Sequence, residues 1–141
     1  MKRSILIVDN SPYIQRLLRQ VIEDNFDDIM ILSCLSLDLA MNTIRRMKEN
    51  RRLPHLVISE LNLQGNEGGA VISNLIKAAD PEIPVIVISE GLDSDEKNIR
   101  GRCGADEYIS KPFEDLTELA SIIKVCLEIG ARGKIAHRAV A

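Results

Sequence analysis

Three short, unbroken apolar runs constrain this chain more than anything else in it. They are Ile5-Leu6-Ile7-Val8, Leu56-Val57-Ile58 and Val85-Ile86-Val87-Ile88. Each stops at a polar residue. A run apolar at every position, and too short for a helix, reads as a strand covered on both faces. The stretches between follow a different period. Ile14, Leu17, Leu18, Val21 and Ile22 recur at i, i+3, i+4, i+7 and i+8, one apolar helical stripe. Leu37, Ala40, Met41, Ile44 and Met47 make a second stripe, and Val71, Ile72, Leu75, Ile76 and Ala79 a third. Leu116, Leu119, Ile122, Ile123 and Cys126 make the last.

The punctuation agrees with this division. Ser11 is placed to cap the first helix and Pro12 suits its first turn. Asp80-Pro81 closes the third stripe. Ile29 to Cys34 supplies a further strand, and Ala105 to Ile109 a short fifth one. Residues 93–103 form the weakest helix, with only Ile99 and Cys103 clearly apolar and a glycine at 101. Gly130 reads as the stop of the final helix. Five strands alternating with five helices predict an α/β fold around a parallel sheet. The 141 residues fit one domain, over residues 1–130, with 131–141 as a basic frayed helix end, linker or tail.

Composition narrows the function classes. A net charge of −3 gives no electrostatic reason to expect nucleic acid or membrane binding. No apolar run reaches the length of a membrane span, and the four residues Ile5–Val8 are too few for a signal-peptide core. A cytoplasmic protein is expected. Cys34, Cys103 and Cys126 are odd in number, scattered, and read as small buried hydrophobes. His55 and His137 have no partners at metal-ligand spacing, and the glycines at 65, 68 and 69 do not make a phosphate-binding loop.

Chemistry in an open parallel sheet belongs at the carboxyl ends of the strands. Here those ends carry Asp9-Asn10, Ser59-Glu60, Ser89-Glu90 and Ser110-Lys111. Acids, hydroxyls and a lysine therefore converge on one edge. Taken singly, an acid before a helix is a cap and a loop lysine a solvated charge; four polar ends together point to a site.

The segments "ILIVDN", "LVISELNLQG", "PVIVISEG" and "GADEYISKPF" resemble, in order, the motifs of the bacterial response-regulator receiver domain of the chemotaxis-regulator type. The resemblance spans roughly residues 3–129. It implies a doubly wound, flavodoxin-like five-stranded sheet of order 2-1-3-4-5. It also implies a metal-assisted phosphoryl transfer from a histidine kinase to an aspartate, read out by an output domain or another signalling protein. In the family, the surface of the fourth helix, fifth strand and last helix meets such partners or a second protomer, so a homodimer is an open alternative.

Position by position, Asp9 matches the first metal-binding acid and Asn10 falls where the second is expected. Glu60 falls on the phosphoacceptor. Asn62 matches the residue whose carbonyl ligates the metal, Ser89 the phosphate-binding hydroxyl, Lys111 the lysine and Tyr108 the aromatic switch. The motif also implies a cis Lys111–Pro112 bond. Gln64 replaces the usual proline. The two departures that matter are Asn10 and Glu60, both in the reaction centre.

Glu60 has one methylene more than aspartate, so its oxygens reach about 1.5 Å further, and misplacement on that scale costs orders of magnitude in rate. Asp9 and Glu60 against Lys111 leave one net negative charge. The Mg²⁺ candidates Asp9, Glu60 and Asn62 are therefore weak, and Mg²⁺ is expected to bind weakly or not at all. No catalytic residue and no enzyme activity are expected.

The resulting expectation is a receiver that serves as a protein-interaction module without standard aspartyl phosphorylation. Glu60 either partly imitates a phosphoryl group or is only the remnant of a lost reaction. The rivals are a working receiver with another acceptor, such as Asp9, and a small α/β nucleotide-binding enzyme. The imitation reading makes specific demands. Glu60 should contact Lys111, Ser89 should lean into the pocket, Tyr108 should pack inward, and Glu60 should titrate below a free glutamate.

Overall fold

The computed structural model describes residues 2–63, 65, 67–90, 101 and 103–140, with side chains through residue 129. The strands are β1 (Arg3–Val8), β2 (Ile29–Cys34), β3 (Leu56–Glu60), β4 (Val85–Glu90) and β5 (Glu107–Lys111). The helices are α1 (Pro12–Asn25), α2 (Leu37–Glu49), α3 (Gly68–Ala79) and α4 (Leu116–Val140). The strands form one parallel sheet in the order β2-β1-β3-β4-β5. This is the doubly wound α/β arrangement expected from the sequence.

The unbroken apolar runs are explained by the two faces of this sheet. Successive side chains alternate sides. Leu6 and Val8 of β1, with Val57, Val85 and Val87, pack under Ala40 and Ile44 of α2 and Ile72 and Ile76 of α3. Ile5 and Ile7, with Ile58, Ile86 and Ile88, pack under Leu18 and Ile22 of α1 and Leu119 and Ile123 of α4. β1, β3 and β4 are central and covered on both sides, so the middle of each strand is apolar at every position. The edge strands β2 and β5 are only partly buried, and β2 keeps polar or exposed positions.

Local signals hold where they have a partner. Ser11 Oγ accepts from the Ile14 N–H at 3.3 Å, with Pro12 in the first turn. Ser36 caps α2 in the same way through the Leu39 N–H at 3.2 Å. The three cysteines are free and buried. The Lys111–Pro112 bond is cis.

Two boundaries differ from expectation. β5 runs two residues later, ending at Lys111, because Glu107 to Lys111 pair in register with Ile86 to Glu90. Asp106 fixes that start: its Oδ2 accepts from the Val85 N–H at 2.8 Å and from Lys77 Nζ at 2.7 Å. Gly130 does not stop the last helix, whose backbone continues to Val140. A single interior glycine costs a helix only about 1 kcal/mol, and the residues around it include alanine, arginine and lysine. The weak helix expected over 93–103 lies outside the described residues apart from Gly101 and Cys103, as does Gln64.

Candidate functional site

Four strands bring a polar side chain to their carboxyl ends at the same edge of the sheet. Asp9 directly follows β1, Glu60 ends β3, Ser89 is the penultimate residue of β4 and Lys111 ends β5. The strands are parallel and in register, with Glu60 beside Ile88 and Ser89 beside Ser110. These four side chains therefore meet in one pocket.

Asp9 is completely buried. Its Oδ1 accepts from the Ser11 N–H at 2.8 Å and its Oδ2 from Lys111 Nζ at 3.0 Å. Asn10, by contrast, is exposed at the rim. Glu60 is 7 % exposed. Its Oε1 accepts from Ser89 Oγ at 3.3 Å, and Ser89 Oγ in turn accepts from Asn62 Nδ2 at 3.3 Å. Its Oε2 lies 3.1 Å from Lys111 Nζ, an ion-pair distance. Lys111 thus stands between two carboxylates.

The titration of Glu60 corrects one expectation. Its carboxyl is held above the usual glutamate range, not below it. Burial is the larger cause, and the neighbouring Asp9 acts in the same direction; Lys111 and Ser89 offset them only in part. Lys111 is itself raised: burial acts against it, but the bond to Asp9 and the charges of Asp9 and Glu60 outweigh that.

Tyr108 takes neither extreme position. It is half-buried on β5, its ring packs against the α2–α3 side of the core, and its hydroxyl accepts from the Ala105 N–H at 3.0 Å.

Two residues support the site in ways the sequence reading does not anticipate, Gln15 and Gly69. Gln15 of α1 is buried, and its Nε2 donates to the carbonyls of Ile7, Asp9 and Cys34 at 3.2, 3.2 and 3.0 Å. It ties the ends of β1 and β2 together beneath Asp9. The signal was available: Gln15 lies three residues before Leu18 and seven before Ile22, on the apolar face. Gly69 is the other. A Cβ there would stand 2.5 Å from the Glu60 carbonyl oxygen and 2.7 Å from Leu61 Cα. Only glycine lets α3 begin this close to the end of β3, where Gly69 N–H donates to Leu61 O at 2.9 Å.

The donor set suits a divalent cation poorly. Both Asp9 oxygens are engaged, Asn10 offers no charge, and Lys111 neutralises one of the two acids. Among the described residues, no three acid, histidine or cysteine side chains gather as a metal site. Both Glu60 oxygens face Ser89 and Lys111.

Comparison with known proteins agrees with the architecture. Residues 5–124 match the family model of the response regulator receiver domain. The KDP operon transcriptional regulatory protein KdpE of Escherichia coli K12 is 30 % identical over 124 residues, which is 88 % of this chain and 51 % of KdpE. The nitrogen assimilation regulatory protein NtrX of Azorhizobium caulinodans is 31 % identical over 114 residues, covering 80 % of this chain and 24 % of that protein. The chain spans about half or less of the length of these relatives. The crystal structure of the receiver domain of NtrX from Brucella abortus superposes with a TM-score of 0.70 at 29 % identity, over 88 % of this chain and 98 % of that one. With motifs, strand order and site edge all in agreement, the chain belongs to the response regulator receiver domain family.

Proposed function

We propose that this receiver domain is a regulatory protein-interaction module that does not use standard aspartyl phosphorylation, and that Glu60 partly imitates the phosphorylated state. The observation that carries the reading is the position of the Glu60 carboxylate between Lys111 Nζ at 3.1 Å and Ser89 Oγ at 3.3 Å. In the family these two side-chain types bind the phosphoryl oxygens. The extra methylene supplies the reach. The imitation is partial, since one carboxylate charge on two oxygens replaces roughly two charges on three.

The half-buried Tyr108 accords with a partial switch. Asp9 is a poor substitute acceptor, because it is fully buried and both its oxygens are engaged. The partners in this reading are proteins: a kinase, an output domain or another signalling protein.

The test is an intact mass after incubation with acetyl phosphate and Mg²⁺. No phosphoryl adduct is expected. A stoichiometric adduct would overturn the reading. A pull-down comparing the native protein with Glu60→Ala then asks whether partner binding depends on the pocket; equal recovery would remove the imitation and leave only the interaction module.

A further inference from the structure

At the opposite end of the sheet from Glu60 lies a half-open cavity of about 740 Å³. It opens where the strands begin, between the starts of β1, β2 and β3 and the end of α2. Its walls are apolar: Met30 and Leu32 of β2, Met47 of α2, and Leu53. None of these four is buried, and Met30 is 47 % exposed. The volume lies in the ordinary range of small-molecule sites, about 300–1,000 Å³.

The rim is cationic. Lys2, Lys48, Arg51 and Arg52 line it, all four exposed. Among the described residues none of the four side chains makes an ion pair or a hydrogen bond. The one acid in the lining, Asp80, already accepts from the Glu82 N–H at 3.0 Å. The cavity mouth therefore carries a surplus of positive charge on a chain whose net charge is −3.

The rim is also built rather than loose. The Arg52 N–H donates to Met47 O at 2.8 Å and the Arg51 N–H to Lys48 O at 3.1 Å, closing the end of α2. That closure requires a left-handed residue, a place usually held by glycine; here it is Arg51, with φ 56°. The back wall is pinned as well, since the Ser4 N–H donates to His55 Nδ1 at 3.0 Å.

We propose that this cavity binds a small amphiphilic anion: an aliphatic body on the Met30–Leu32–Met47–Leu53 floor, with an acidic head among the rim cations. Three features select that chemistry. The charge surplus asks for an anion. The floor is thioether and aliphatic, so it takes a flexible apolar chain. No phenylalanine, tyrosine or tryptophan lines the cavity, and its one imidazole, His55, is held by its Nδ1 to the Ser4 N–H on the back wall, which disfavours a stacked nucleotide base. The occupant is a free molecule, because the site is concave where a membrane surface would be flat.

The test uses decanoate below its micelle concentration, titrated by calorimetry against the full chain. Decan-1-ol, inorganic phosphate and phosphatidylglycerol vesicles are the other arms. Saturable one-to-one binding of decanoate is expected, with the alcohol and phosphate each at least about tenfold weaker. Arg51→Ser/Arg52→Ser should weaken decanoate roughly tenfold, the scale of lost charge-assisted contacts. Met30→Glu, which adds an acid to an exposed floor position, should weaken it as well, and circular dichroism should show both variants folded. The proposal is overturned if decanoate does not saturate, if the alcohol or phosphate binds equally well, if neither folded variant weakens binding, or if only vesicles bind.

Discussion

Ser89 Oγ donates to Glu60 Oε1 at 3.3 Å, across the gap between β4 and β3. The hydroxyl reaches the acid only because the acid carries an extra methylene. An aspartate at position 60 would withdraw its oxygens by about 1.5 Å, opening the space that a phosphoryl group fills in the family. Asn10→Asp together with Glu60→Asp restores three acids around Lys111. This double variant is expected to gain a Mg²⁺-dependent phosphoryl adduct from acetyl phosphate, read by intact mass. If it does not, Asn10 and Glu60 are not what sets the reactivity of this pocket.

Gln15 is predicted to matter although it touches no reacting atom. Gln15→Met keeps the volume and removes the donor to three strand-end carbonyls. The Cys34 carbonyl keeps the Asp9 N–H and the variant also removes the unpartnered Gln15 Oε1, so the loss in a urea melt is expected at the low end of the range for removed buried hydrogen bonds, about 1 kcal/mol. Arg16→Ala, one position along on the exposed face, should stay within about 0.5 kcal/mol. Equal midpoints for the two variants would show that Gln15 is replaceable by packing alone.

The sequence was legible where the physics is local or periodic. Ile5 to Val8 and Val85 to Ile88 could only be central strands, and parallel strands put Asp9, Glu60, Ser89 and Lys111 on one edge. What the residues could not show was the outcome of competing terms. Lys111 beside Glu60 argues for an easily ionised acid, yet burial wins, and burial depends on the packing of the whole strand-end edge. Asn62 shows the same limit. The resemblance implied a role for its backbone carbonyl, while the described hydrogen bond is its side-chain amide to Ser89. Gln15 was hidden for a different reason, since a single polar residue on an apolar face looks like a flaw in the stripe until its three carbonyl partners are placed.

Gly69 should tolerate no side chain. Gly69→Ala sets a Cβ 2.5 Å from a backbone oxygen of Glu60, and backbone cannot swing aside as a flexible side chain can. A loss of about 1–3 kcal/mol is expected, as for other overpacked sites. Gly65→Ala is the contrast. Nothing lies within 4 Å of its Cβ, and its only cost is the φ of 79°, about 1 kcal/mol. A Gly69→Ala protein as stable as the native one would mean that α3 shifts freely against β3.

The raised Glu60 carboxyl makes a prediction about pH. A group whose folded-state pKa exceeds its unfolded value holds its proton more tightly in the folded protein. Its favourable contribution is complete below the unfolded value, taken as the ordinary 4.5. It is lost as pH rises through the folded-state value. Native stability, compared with Glu60→Gln, should therefore fall as pH rises from about 4.5, then level off once Glu60 is ionised in both states. Each pKa unit of separation is worth about 1.4 kcal/mol. Lys111 acts at the other end of the scale. Its raised pKa holds stability below the ordinary 10.5 that is lost as pH rises through the higher folded-state value. Urea melts of native and Glu60→Gln protein at half-unit steps of pH give the comparison directly. A difference that grows in favour of the native protein as pH rises would mean that the Lys111 pair outweighs burial. In that case Glu60 would carry its full charge well into acid, and its imitation of a phosphoryl group would hold over a wider range of pH than the buried geometry allows.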